Sequence, residues 1–138
     1  MQEFPRGFVN NNPGNIRHGA DGLPGQRIIQ TDSKLMQFAT PTDGIRAMAL
    51  LLRGYKTSSI DRLDSVIAQW NRDSPRDVAV YIGRVAAALD RAPGDQLDLD
   101  DRATLRALVK AMIRHELGDN YYTDGEIAEG VDRAFDLA

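Results

Sequence analysis

The sequence contains no cysteine. Disulfides, thiolate nucleophiles and zinc–thiolate sites are therefore excluded. It also lacks a long apolar run, since no stretch approaches the roughly 20 residues that a membrane-spanning helix needs. Residues 1–7 carry no basic segment followed by an apolar one. We therefore expect no membrane insertion and no secretory signal peptide.

Histidine and excess positive charge are also scarce. The two histidines are His18 and His115, and no Gly-x-Ser-x-Gly turn is present, which disfavours a nucleophilic triad. His115 precedes Glu116 on a predicted helix and so points away from its apolar face, which favours a surface histidine. With 17 Lys and Arg against 20 Asp and Glu, the net charge is −3 and the two signs are interleaved. Nucleic acid is therefore not an expected partner.

Phosphate-binding and metal-binding motifs are missing. The sequence has no Gly-rich phosphate loop of the Walker type. The acidic segment 95–101 resembles a calcium loop but lacks the mid-loop glycine and the closing glutamate of an EF-hand. We interpret it as a solvated loop that caps the next helix. We expect no metal and no cofactor.

The 138 residues, 42% of them hydrophobic, are enough for one domain with one core. Turn formers dominate the first third, where segments 27–30 and 34–38 flank residues 31–33 and predict a hairpin. The fold class predicted is α+β, mostly α: a single domain over 1–138 with a loop and hairpin lobe at about 1–40 and a helical body at about 41–138. The predicted helices cover about 42–55, 59–71 with Ser58 or Ser59 as N-cap, 74–91 from Ser74, 100 or 101 to 118, and a last one from Thr123.

Glu116 continues the apolar face of its predicted helix. That face consists of Leu105, Leu108, Val109, Met112 and Ile113. Glu116 follows Met112 at i+4 and Ile113 at i+3, so it points inward. Desolvation would raise the pKa of such a carboxyl and make it a general acid near neutral pH. The alternative is a charged residue at a helix end whose side chain reaches solvent.

Amide side chains are concentrated in the loop-rich third and could bind sugar hydroxyls and N-acetyl groups, because amides both donate and accept hydrogen bonds. They are Asn10, Asn11, Asn12, Asn15, Gln26, Gln30 and Gln37. The asparagines could instead simply build turns. Gln37 lies in a predicted strand and faces opposite to Met36 and Phe38.

Four segments resemble motifs of the lysozyme superfamily, in particular goose-type lysozymes, lytic transglycosylases and bacterial glucosaminidases. Met112–Glu116 is similar to the end of the catalytic helix, and Leu35–Pro41 to the Leu-Met-Gln segment. Ala68–Asn71, with Tyr81 downstream, resembles the Tyr-Asn segment, and Asn12–Ile16 the loop that follows the glutamate in glucosaminidases. The family places the glutamate first and this chain places it last, so the resemblance implies a circularly permuted lysozyme-like domain. The chain departs from the family at Leu117, where serine is common, and at residues 70–73, where Tyr-Asn-Ala-Gly is common.

The resemblance implies a peptidoglycan-degrading glycosidase, either a lysozyme (muramidase) or a lytic transglycosylase. It would cleave the bond between N-acetylmuramic acid and N-acetylglucosamine with Glu116 as its single general acid, at the floor of a cleft between the lobe and the helical body. The expected substrate-binding residues are Asn15, Gln37, Trp70 and Tyr81. Trp70 and Tyr81 also lie on apolar helical faces, so core packing is an equal alternative for both. The candidate second acids are Asp32 and Asp43.

Residues 6–17 also resemble small phage proteins described as virion structural proteins or cell-wall lytic enzymes. The resemblance implies a phage-encoded protein, in the virion or the host cytoplasm, that acts on the periplasmic cell wall. Its expected partner is the peptidoglycan glycan strand, and a monomer is favoured. The alternative function is a non-catalytic virion or cell-wall-binding structural protein.

Overall fold

Helices are the predominant secondary structure of the computed structural model, which describes residues 3–19 and 22–136. This confirms the mostly α class. The helices of the described residues are α1 (Arg6–Val9), α2 (Pro41–Thr57), α3 (Leu63–Trp70), α4 (Val78–Leu89), α5 (Arg102–Leu117) and α6 (Asp124–Arg133). Within these ranges, none of the helices has both the length and the apolarity to cross a bilayer.

Side-chain caps fix where α2, α5 and α6 begin. The Thr40 side chain accepts a hydrogen bond from the Asp43 N–H, and the Asp101 side chain accepts one from the Thr104 N–H. At α6 the side chains of Thr123 and Glu126 each bond the backbone N–H of the other, forming a capping box. The predicted starts at Asp101 and Thr123 are thus confirmed. Each such cap stabilises its helix by about 1 kcal/mol.

The predicted starts of α3 and α4 are wrong. Helix α3 begins at Leu63, and neither Ser58 nor Ser59 caps it. Helix α4 begins at Val78, four residues after the predicted Ser74. In each case a residue before the helix has left-handed backbone, namely Ser59 at φ 61° and Asp77 at φ 65°. Such a residue cannot continue a right-handed helix, so the chain must turn there first.

The hairpin predicted over residues 27–38 is not formed by two strands. The described residues contain only isolated antiparallel bridges, of which Gln26 with Phe38 is one. Next to this bridge, the Gln30 side chain makes the hydrogen bonds that a partner strand would make. Its Oε1 accepts from the Gln37 N–H at 2.7 Å, and its Nε2 donates to the Gln37 carbonyl at 2.8 Å. Because a side chain satisfies these backbone groups, the ladder stops after one bridge.

The core joins the helices to the loop-rich N-terminal segment. The apolar face of α5 is fully buried, as its spacing predicts. Met36 and Phe38 belong to the same buried cluster as the helices. Helices α2 and α6 approach closely at Gly130, where an added Cβ would lie 2.5 Å from Ile45. This packing holds the loop-rich segment against the end of α5, where Glu116 lies.

Candidate active site

A cleft of about 810 Å³ lies between the loop-rich segment and the helices. One side is lined by residues 5–7, 14–19 and 35. The other is lined by the end of α2 and the following turn, and by residues 69–74 at the end of α3 and beyond. Glu116, in the last turn of α5, lines the cleft as well. A space of this size is typical of small-molecule binding sites.

The Glu116 carboxyl is largely withdrawn from water, and burial raises its pKa. Two hydrogen-bonding groups oppose that rise by favouring the ionised form, the Asn15 amide and the Tyr81 hydroxyl. Asn15 Nδ2 donates to Glu116 Oε1 at 2.9 Å and lies 3.4 Å from its carbonyl oxygen. Burial prevails, so the carboxyl keeps its proton to higher pH than an ordinary glutamate.

The end of α5 holds Glu116 firmly. Gly118 adopts φ 84°, which ends the helix, and its N–H bonds the Arg114 carbonyl at 2.9 Å. Leu117 is buried in the core beside it. The glutamate backbone is therefore fixed on both sides, and the carboxyl has a defined direction.

Asn15 lies next to Glu116 because Asn12 orders the loop that carries it. The fully buried Asn12 side chain accepts from the Ile16 N–H at 2.9 Å and donates to the Met36 carbonyl at 2.9 Å. Asn15 itself has left-handed backbone at φ 51°. The asparagine-rich segment thus does build turns, and one of its members also contacts the candidate acid.

Trp70 forms part of the helical wall. Its Nε1 donates to the Gly14 carbonyl across the cleft at 3.1 Å, and its ring packs edge-to-face on Tyr55 with centroids 6.3 Å apart. The indole is partly exposed to the cleft. A rigid aromatic surface in the same cleft as a carboxyl is suited to contact the apolar face of a sugar ring.

Tyr81 does not line the cleft. It is 1% exposed and stacks on His115 with ring centroids 3.8 Å apart. Its hydroxyl faces Glu116 closely enough to lower the pKa of that carboxyl, yet makes no hydrogen bond of regular geometry within the described chain. His115 is half-buried rather than on the surface, and burial lowers its pKa.

Gln37 also lies outside the cleft. It is 5% exposed, and its Oε1 accepts from the Thr31 N–H at 2.5 Å while its Nε2 donates to Asn10 Oδ1 at 3.1 Å. It therefore holds the loop-rich segment together. The structure therefore turns the Gln37 side chain into the loop-rich segment and does not bring it to the cleft.

The two candidate second acids are both engaged elsewhere. Asp32 pairs with the Arg6 guanidinium and accepts from the Leu35 N–H, which together hold the pKa of its carboxyl far below the usual range. Asp43 lies in the first turn of α2, where it accepts a hydrogen bond from the Thr40 hydroxyl at 2.8 Å and pairs with Arg46 at 2.9 Å. Neither lines the cleft.

Asp73, which no sequence motif marks as a site residue, lies on the cleft instead. It and Glu116 are the carboxylates that line the cleft in the described part of the chain. Its only signal in the sequence is its position three residues after Trp70, within the segment that resembles Tyr-Asn-Ala-Gly.

No group of three or more His, Asp or Glu side chains in residues 3–19 and 22–136 is arranged to hold a metal ion. The acidic segment 95–101 has other contacts. Asp98 and Asp100 pair with Lys56 at 3.7 and 2.7 Å, and Asp101 caps α5. The expectation that this segment caps the next helix is confirmed.

Comparison with known proteins finds a relative that aligns with nearly the whole chain. No established family model matches the sequence. The chain is 37% identical over 139 residues to Protein P5 of Pseudoalteromonas phage PM2, an alignment that covers 98% of this chain and 85% of that protein. The relative is a bacteriophage protein, and with this identity over nearly the whole length the chain belongs to the family of Protein P5 of phage PM2.

Proposed function

We propose that this protein is a peptidoglycan-cleaving glycosidase, a lysozyme or a lytic transglycosylase, whose general acid is Glu116. One observation carries the proposal: a carboxyl whose pKa burial raises lines a cleft that also presents an amide and an indole. A carboxyl that stays protonated near neutral pH can donate its proton to a leaving oxygen.

In the proposed reaction, Glu116 protonates the glycosidic oxygen between N-acetylmuramic acid and N-acetylglucosamine. Asn15 orients the carboxyl through its 2.9 Å hydrogen bond, and Trp70 supports a sugar ring beside it. General acid catalysis of this kind contributes a factor of roughly 10²–10⁴ to the rate.

The second catalytic group distinguishes two versions of the proposal. The common glycosidase scheme uses two carboxylates. Asp73 is the candidate for the second one because it lines the cleft. In the other version Glu116 acts alone, and the substrate's own N-acetyl group or a 1,6-anhydro closure completes the reaction. Asp73→Asn abolishes cleavage in the first version and leaves most of it in the second.

The arrangement of the motifs supports a circularly permuted lysozyme-like architecture. Asn15, Trp70 and Glu116 come from three of the segments that resemble lysozyme motifs, and they are far apart in the sequence. All three line one cleft. The phage origin of the relative supports a phage-encoded protein. Action on the host cell wall, either from the virion or at lysis, is part of the proposal.

The test is digestion of purified peptidoglycan sacculi by the wild type, Glu116→Gln and a matched control, Glu129→Gln. Glu129 is exposed on α6 and lies outside the cleft. We expect Glu116→Gln to lose roughly 10²–10⁴-fold in rate and the control to lose nothing. The masses of the products separate hydrolysis from anhydro formation.

Two outcomes would reject the proposal. If Glu116→Gln is as active as the wild type, Glu116 is not the acid. If the wild type binds sacculi without releasing any soluble fragment, the alternative function, a non-catalytic virion or cell-wall-binding protein, is favoured.

A further inference from the structure

Three arginines line the cleft, and they differ in their partners. The Arg6 guanidinium is paired with Asp32. Arg17 and Arg72 also line the cleft, but neither lies within salt-bridge distance of a carboxylate among the described residues. The cleft thus holds two cations without a carboxylate partner, in a protein whose net charge is −3.

Neutral groups hold both guanidiniums at the cleft. Arg17 Nη2, on the loop-rich side, lies 3.5 Å from Ser74 Oγ on the opposite wall. Arg72 Nη1 donates to the Gln69 carbonyl at 3.3 Å. Burial raises the pKa of Tyr55, and the nearby Arg72 opposes that rise, so its guanidinium lies beside the Tyr55 hydroxyl. Since a guanidinium has five N–H donors, each arginine keeps most of its donors free for a ligand.

The guanidiniums of Arg17 and Arg72 are suited to bind a carboxylate ligand. A guanidinium binds a carboxylate through two parallel hydrogen bonds, and a concave site strengthens the attraction. The opposing charges of the cleft are few: Asp73 lines it, and Glu116 is uncharged while it keeps its proton. The balance of charge in the cleft is therefore positive in the protonated state in which Glu116 can act as an acid.

We propose that Arg17 and Arg72 form a carboxylate-binding subsite that directs the enzyme to glycan strands bearing carboxylates. In peptidoglycan these are the carboxylates of the peptide stems and, where the peptide has been removed, the lactyl carboxylate of muramic acid. Neutral polymers of N-acetylglucosamine offer neither. The identity of the glycan rests on the proposed function, and the subsite itself rests on the two arginines.

The test measures binding in the Glu116→Gln background, so that cleavage does not enter. The probes are soluble peptide-bearing glycan strands, strands stripped of peptide by an amidase, and neutral chitooligosaccharides. The variants are Arg17→Gln, Arg72→Gln and, as a matched control, Arg114→Gln, whose side chain is exposed on α5 outside the cleft. Circular dichroism establishes that each variant is folded.

We expect each cleft variant to bind peptide-bearing strands about three- to tenfold more weakly and to show a shallower salt dependence. Binding to chitooligosaccharides and binding by the Arg114→Gln control stay unchanged. If stripped strands keep the arginine dependence, the lactyl carboxylate is the ligand; if they lose it, the ligand is a carboxylate of the peptide stem.

Equal losses on charged and neutral probes, or no loss on any probe, would overturn the subsite. These results are independent of the cleavage test. If the wild type cleaves sacculi and the arginine variants bind all probes normally, the subsite is rejected and the proposed enzyme activity is supported. If the protein binds charged strands through the arginines but never cleaves them, the subsite is supported and the proposed enzyme activity is rejected.

Discussion

At the scale of single residues, the Glu116 carboxyl is subject to influences of opposite sign. Burial raises its pKa, whereas Asn15 and the Tyr81 hydroxyl lower it. The two neighbours differ in kind. Asn15 makes a regular 2.9 Å hydrogen bond at the cleft, but Tyr81 is buried behind the carboxyl and has no regular hydrogen bond within the described residues. The protonation state of Glu116 therefore depends on Tyr81, which lies outside the cleft, as well as on Asn15, which lines it.

Tyr81→Phe should raise the pKa of Glu116, because it removes one of the groups that favour the ionised form. The matched control is Tyr122→Phe, since the Tyr122 hydroxyl is likewise buried without a partner in the described chain but lies outside the cleft. The measurement is a carbon-13 NMR titration of the Glu116 carboxyl. Neither variant should lower the free energy of unfolding by more than about 1 kcal/mol, because a buried hydroxyl without a partner costs desolvation free energy and does not stabilise the fold. An unchanged or lower Glu116 pKa in Tyr81→Phe would contradict this account.

At the scale of helices, the contact between α2 and α6 depends on Gly130. A Cβ added there would lie 2.5 Å from Ile45, on a helix that cannot move without shifting the core. In contrast, Gly83 of α4 is exposed, and a Cβ added there meets no atom within 4 Å. The same substitution therefore has opposite consequences at the two positions.

Gly130→Ala should destabilise the protein by about 1–3 kcal/mol through overpacking. Gly83→Ala should stabilise it by about 0.5–1 kcal/mol, because alanine restricts the unfolded chain and favours the helix. Urea unfolding followed by circular dichroism measures both. A Gly130→Ala variant that is at least as stable as the wild type would contradict a tight interhelical contact at Gly130.

The sequence predicts most of the helices but not all of their ends. Apolar spacing locates α2 and α5, and the side chains of Asp101 and Thr123 mark where α5 and α6 begin. The starts of α3 and α4 are missed because Ser59 and Asp77 adopt left-handed backbone, a choice that the surrounding structure imposes on residues that could also start a helix. The predicted hairpin does not form for a different reason: the Gln30 side chain makes the hydrogen bonds that a second strand would have made.

At the scale of the whole molecule, the cleft exists because the loop-rich segment packs on the helices. Asp32 is central to the order of that segment: it pairs with Arg6 and accepts from Asn10 Nδ2 at 2.9 Å and from the Lys34 N–H at 2.9 Å. These contacts hold its pKa far below the ordinary value. A carboxyl with a depressed folded-state pKa stabilises the fold above its unfolded pKa, and the stabilisation is lost as the pH falls below that value.

Asp32→Asn should therefore lower the melting temperature most near pH 7 and less at about pH 3, below the ordinary aspartate pKa of about 3.9. Asp119→Asn is the control, because Asp119 is exposed and lies outside the cleft. The measurement is thermal unfolding of the wild type and both variants at the two pH values. A difference between Asp32→Asn and the wild type that stays constant, or grows in acid, would show that the Asp32 carboxylate does not anchor the segment.

The site was predictable in part, for physical reasons. The position of Glu116 on an apolar helical face follows from spacing alone, and its withdrawal from water follows from that face being buried. Asn15 and Trp70 meet it at the cleft, whereas Tyr81 lies behind it and Gln37 lies in the loop-rich segment. Which of these polar and aromatic side chains reach the cleft is decided by long-range packing. No local pattern encodes that choice.

The most direct measurement is the initial rate at which the wild type and Glu116→Gln release soluble fragments from purified sacculi, followed from about pH 4 to pH 9. A general acid works only while protonated, so the wild-type rate should be high at low pH and fall as the pH rises through the Glu116 pKa, which burial raises. The midpoint of that fall should equal the pKa measured by NMR, and Glu116→Gln should show neither the rate nor the fall. A glutamine variant with the wild-type rate and the same fall would contradict the account.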